Sequence, residues 1–166
     1  SWRLVQRLLL DLEDDSDRLP IIQHCLMRIW EAWANDHREG EQIDLRHYDA
    51  TGGMAKALSQ HADEVLQSLP GDDYRRVAEH LFKVLTETGE EGRKIRRPQR
   101  LANLVAISGG RREMVYKIVD AYRQPGVTLL MPPDRVLLED TTVIDISHES
   151  LMRVWERLRH WVEGEE

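Results

Sequence analysis

Asp145, His148 and Ser150 carry the acid, base and hydroxyl of a hydrolytic triad within residues 145–150. Groups so close in sequence rarely converge on a nucleophile–base–orienter geometry, so acyl-transfer chemistry is not expected there. His24, His37, His47, His61 and His80 show no metal-ligand spacing, and the one cysteine, Cys25, has no second sulfur to share a zinc ion with. These histidines read as solvated or locally satisfied, and no metal site is expected. Gly52-Gly53 and Gly109-Gly110 lack both the G-x-x-x-x-G-K-[ST] spacing and the lysine of a phosphate-cradling loop. No residue is assigned a catalytic role, and these 166 residues are not expected to be an enzyme by themselves.

Two features remain. His148 stands where a strand pattern ends and a helix begins, with Ser147 placed to cap that helix and Glu149 favoured by its dipole. A capping or interface histidine is the structural reading. The second feature is charge. Residues 93–123 hold nine cations against Glu113 and Asp120, a local charge of +7, so the remainder carries −14 within a total of −7. Such asymmetry marks a nucleic-acid surface, an acidic partner, or an ordinary solvated face. Arg111, Arg112 and Lys117 lie at or near the start of a helix that would enter a major groove, and Arg96, Arg97 and Arg100 would meet phosphates beside it. Against a DNA reader stand the net acidity and the five apolar residues of that helix.

The elements that position these residues follow from apolar spacing. Trp2, Val5, Leu9 and Leu12 keep a helical interval, and residues 13–17 interrupt as an acidic loop. Pro20 suits the first position of a second helix, which carries Ile22, Cys25, Leu26, Ile29, Trp30 and Trp33. A short helix at 45–48 precedes the Gly52-Gly53 break. Met54, Leu58, Ala62, Val65, Leu66 and Leu69 then define another helix, closed by Pro70-Gly71. Asp72 or Asp73 caps a helix bearing Val77, Ala78, Leu81, Phe82 and Leu85. After a turn at 88–92 and an extended stretch at 93–97 come helices near 99–108 and 111–124. Strands are expected at 127–131 and 143–147, with a third short one at 136–138. Leu151, Val154, Trp155, Leu158, Trp161 and Val162 mark one last helix. The five tryptophans follow helical stripes and read as core, except that Trp155 and Trp161 either pack on the preceding unit or await a neighbouring domain.

The fold class is therefore mainly α (α+β). A helical module at 1–70 precedes a winged helix with a small β-hairpin at 71–147, and a C-terminal coupling helix follows at 148–166. A 41% hydrophobic composition supports a core. No apolar run approaches the roughly 20 residues of a membrane-spanning helix, and no membrane partner is expected. A lone cysteine makes a reducing, cytoplasmic setting the default. An opening Ser1-Trp2 with no initiating Met reads as a piece of something longer.

Three segments carry a family resemblance. Leu19-Pro20-Ile21-Ile22-Gln23-His24-Cys25-Leu26, followed by Ile29-Trp30-Glu31, resembles the "LPLLQHAL…LWE" segment of bacterial STAND signalling NTPases, with Cys25 at a usual Ala. The stretch from Tyr48 through Gly52-Gly53 to Leu58 is similar to that family's "YEALGGVAGAL", with Thr51 at a usual apolar position. His148-Glu149-Ser150-Leu151-Met152-Arg153-Val154-Trp155, with Leu158 and Trp161, resembles "HEALLRHW…LRGW", with Ser150 at a usual Ala.

The resemblance implies a regulatory role. In that family a P-loop module precedes this region, and a sensor or scaffold array, often of WD repeats, follows. ATP or ADP with Mg²⁺ then belongs to the upstream NTPase domain, and the partners are that domain and the downstream one. His148 is implied as a nucleotide-sensing residue, its neutral imidazole donating to a phosphate, and Pro20 as a neighbour of the base or sugar. A winged-helix DNA-binding regulator, using Arg96, Arg97, Arg100, Arg111, Arg112 and Lys117, is the alternative.

Overall fold

The computed structural model describes residues 1–12 and 18–164; the expected acidic loop at 13–17 lies outside them. The chain is mainly helical with small antiparallel sheets and helices at its C-terminal end. It divides into two compact units, Ser1–Gln60 and His61–Glu166.

The first unit contains α1 (Trp2–Asp11), α2 (Arg18–Asn35), α3 (Leu45–Ala50) and the beginning of α4 (Met54–Ser68). Its core gathers Leu4, Cys25, Ile29, Tyr48, Met54 and Ala57, with Leu8, Leu12 and Ile22 packed against them. The core-facing stripe of α1 runs through Leu4 and Leu8 to Leu12 just beyond it; of the expected Trp2, Val5, Leu9 and Leu12, the first three are exposed and Leu12 packs on the core. Both stripes keep helical spacing, and packing alone selects between them. On α2, Leu26 and Trp30 are likewise exposed, so the tryptophans are not uniformly core. Pro20 occupies the third helical position rather than the first, where its missing N–H is still among those with no partner inside the helix. Gly52 and Gly53 take φ of +78° and +84°, the left-handed region, and turn the chain into α4. Tyr48 locks that turn. Its hydroxyl donates to Asp11 Oδ2 at 2.5 Å and accepts from the Met54 N–H at 2.9 Å, which otherwise has no partner at the helix start.

The second unit begins on the latter part of α4 and adds α5 (Asp72–Val84), capped by Gly71 with Asp72 and Asp73 inside its first turn. A two-stranded sheet follows, β1 (Thr86–Thr88) against β2 (Lys94–Arg96). Next come β3 (Gln99–Arg100), α6 (Leu101–Ile107), α7 (Arg112–Arg123), β4 (Leu130–Met131) and β5 (Val143–Ile146). The second sheet has the order β3-β5-β4, both pairs antiparallel, with Gln99 opposite Ile144 and Leu130 opposite Ile146. Ile144 and Ile146 face the core while Val143 is exposed, the alternation a one-sided sheet requires.

The third strand expected at 136–138 is not one. Arg123 is 6% exposed, and its guanidinium draws that segment around itself, donating to the carbonyls of Pro133 at 2.9 Å and Val136 at 2.8 Å. A buried cation needs such acceptors, and this outweighs the strand propensity of the apolar residues there. The place beside β5 goes to β3.

The last helix is two. α8 (Ser150–Val154) and α9 (Glu156–Glu163) meet at Trp155, whose φ and ψ of −74° and 100° are not helical. That break drives the indole inward. Trp155 is fully buried, with ring centroids 4.9 Å from Phe82 and 6.0 Å from Tyr122, while Phe82 and Tyr122 meet edge-on at 4.8 Å. Its Nε1–H donates to Asp63 Oδ1 at 2.8 Å, so the polar end of the ring is satisfied as well. Trp161, half-buried, packs edge-on against Trp155 at 5.3 Å.

Trp155→Ala is expected to destabilise the fold by about 3–5 kcal/mol, the range for emptying a buried large aromatic site, read as a lowered midpoint of urea unfolding. An unchanged midpoint would contradict the anchoring role. Burial pushes the Cys25 thiol up to about 11. A disulfide reagent at neutral pH should therefore label it slowly in the native chain and fast in urea; rapid labelling of native protein would show an accessible thiolate.

Candidate functional site

Residues 147–149 link the central strand of the second unit's sheet to the helix pair anchored by Trp155. β5 ends at Ile146, and the Ser147 N–H donates to Leu129 O at 3.1 Å, prolonging the sheet by one bond. The turn then closes through Leu151 N–H to His148 O and Met152 N–H to Glu149 O, both 3.1 Å. His148 is exposed on this turn.

The expected cap is absent. Glu149, not Ser147, is the residue preceding α8, and no side chain caps that helix. The hydroxyls of Ser147 and Ser150 are both buried with no partner among the described residues. Ser150 Oγ therefore makes no hydrogen bond to His148, and Asp145 is committed elsewhere, so the three residue types do not form a triad.

Asp145 is committed to the preceding hairpin. Arg96 Nη1 donates to Asp145 Oδ2 at 2.8 Å and to the Ile146 carbonyl at 3.3 Å, and Arg93 Nη2 reaches Glu149 Oε2 at 3.1 Å. Arg96, the last residue of β2, and Arg93, the residue before the strand, thus hold the chain on either side of His148. Neither pairing has a local signal, since the partners stand 49 and 56 residues apart.

The other expected site residues are dispersed. Arg112, at the start of α7, grips Asp140 with both terminal nitrogens and lies with its guanidinium carbon 5.8 Å from the Tyr116 ring centroid. That pairing holds the Asp140 carboxyl below its usual range. Lys117 lies 3.7 Å from Glu113 on the same helix. Arg97, Arg100 and Arg111 are exposed. Pro20 is half-buried in the first unit, whereas His148 belongs to the second. His24, His47 and His61 are buried, and among the described residues no group of three or more His, Cys, Asp or Glu could hold a metal ion. Among the same residues no helix is long and apolar enough to cross a membrane.

An exposed imidazole on a short, fixed turn is chemically suited to meet an anion such as a phosphate as an N–H donor, and the two arginines that hold the turn are each paired with a carboxylate, Asp145 and Glu149. The family model described as Novel STAND NTPase 1 matches residues 1–166. Comparison with curated proteins and with solved structures returned no match.

Proposed function

The chain belongs to the Novel STAND NTPase 1 family, and on that premise we propose that its residues form a non-catalytic regulatory region of a signal-transduction NTPase. In this reading a P-loop module elsewhere in the same polypeptide holds ATP or ADP with Mg²⁺. These residues couple its nucleotide state to a downstream sensor or effector domain, in a cytoplasmic setting. Residues 71–147 act as a winged helix, a reading supported by the order β3, α6, α7, β4, β5.

The observation that carries the proposal is the placement of His148: exposed, on a short turn whose neighbouring residues Asp145 and Glu149 are each held by an arginine. When the region docks on the nucleotide module, His148 would donate one N–H to a phosphate of ADP, and Pro20 would lie near the base or sugar. Such a contact exists only in the docked state. It therefore gives ADP a higher affinity for the closed form, which is what allows a ligand to shift an equilibrium. The DNA-reading alternative has less support, because Arg112 is spent on Asp140 and Lys117 faces Glu113.

With no phosphate-cradling loop in the sequence, calorimetry on the 166 residues alone should detect no ATP hydrolysis and at most very weak ADP binding; micromolar affinity would overturn this. Losing one hydrogen bond to a charged group costs roughly 1.5–3 kcal/mol, about ten- to a hundredfold in a population. His148→Ala in the parent polypeptide should then release ADP faster by about that factor and raise basal signalling, while the fold persists. Unchanged release and unchanged output would return His148 to a structural role.

A further inference from the structure

We propose that Arg96 and Arg93 are positioning residues for His148, acting through Asp145 and Glu149; the inference rests on the nucleotide-sensing reading of that histidine. Ordinarily a turn at the start of a helix is held by its own side chains, with a serine or threonine hydroxyl capping the helix. Here, among the described residues, neither serine hydroxyl has a partner and no side chain caps α8. The side chains that grip the turn are instead those of Arg96, the last residue of β2, and Arg93, the residue just before that strand. Arg96 clasps the strand end entering it, bridging a carboxylate and a backbone carbonyl with one nitrogen. Arg93 takes hold of the residue that follows His148.

The two contacts differ in kind. The Arg96–Asp145 pair is partly buried, with side chains 39% and 20% exposed, whereas Arg93 is 68% exposed. The more sheltered arm holds the strand end from which the His148 turn departs, and the exposed arm holds the residue just beyond it. Restricting the imidazole in this way lowers the ordering cost when it meets a phosphate, so the arms strengthen binding without touching the ligand. The geometry also gives part of the basic segment a use that needs no nucleic acid: it is read by carboxylates of its own unit.

The test is the rate of ADP release from the parent polypeptide, with hydrogen exchange at residues 145–151 as a second readout. Arg96→Ala and, separately, Arg93→Ala should speed release about three- to tenfold and accelerate exchange across the turn, with circular dichroism unchanged. Arg96→Lys should restore part of the effect, because an ammonium keeps the charge pairing with Asp145 on a more flexible and less preorganised side chain. In a His148→Ala background the arginine substitutions should add nothing, the signature of residues acting through one group. Faster release from His148→Ala, with neither arginine variant altering it, would overturn the positioning role and leave the sensing role standing. Additive effects would overturn it as well, since the arginines would then act independently. If His148→Ala itself leaves release unchanged, the sensing reading fails and this inference falls with it. Should Arg96→Ala unfold the chain, the more exposed Arg93→Ala decides by the same criteria.

Discussion

Trp155 has to be buried for the end of the chain to have a fixed place. Its indole fills the space between Phe82 of α5 and Tyr122 of α7, and the helix breaks at that residue to let it in. Asp63 then accepts from both the indole N–H and the Arg157 Nε, each at 2.8 Å, so one carboxylate fastens the break and the helix beyond it. Burial of an aromatic surface supplies the energy, and the polar contacts supply the orientation. Tyr122 shares the arrangement: burial pushes its phenol well above its ordinary range, and its hydroxyl donates to the Ala62 carbonyl at 3.3 Å.

From that anchor the position of the His148 turn follows. On one side β5 is the middle strand of its sheet, held by both neighbours, and on the other Trp155 is locked into the core. Between these two fixed points α8 takes up residues 150–154, so only 147–149 are left to make the turn. Arg96 of β2 and Arg93 just before that strand add the remaining restraint. The uneven charge of the chain acquires a physical meaning at the same time. Arg93, Arg96, Arg112 and Arg123 meet Glu149, Asp145, Asp140 and Asp120, all within the second unit. Much of the basic segment is thus complementary to acidic residues close by in the fold.

Helices with one apolar stripe were legible in the sequence, α4 most clearly, because Met54, Leu58, Ala62, Val65, Leu66 and Leu69 are all buried. The breaks at Gly52-Gly53, Gly109-Gly110 and Pro125-Gly126 fall where the backbone turns. What stayed hidden depends on contacts distant in sequence. α1 offers two apolar stripes, and nothing local says which one is buried. β1 is Thr-Glu-Thr, a strand only because β2 pairs with it. At 136–138 the residue types favour a strand, yet a buried arginine bends the segment into a loop. The break at Trp155 has no glycine or proline to announce it. The site divides in the same way: His148 stands out at a strand-to-helix junction, whereas its arginine supports are invisible until the hairpin folds against the turn.

On the proposed reading, a change of nucleotide state in a neighbouring module reaches these residues as one hydrogen bond made or lost at an exposed imidazole. Nitrogen-15 NMR of His148 in the parent polypeptide, with ADP added and then exchanged for adenosine, observes that bond directly. A ring nitrogen of His148 is expected to shift with ADP and to return with adenosine, which lacks the phosphates. Ring resonances indifferent to ADP, in a sample shown to be saturated with it, would contradict the contact on which the regulatory reading rests.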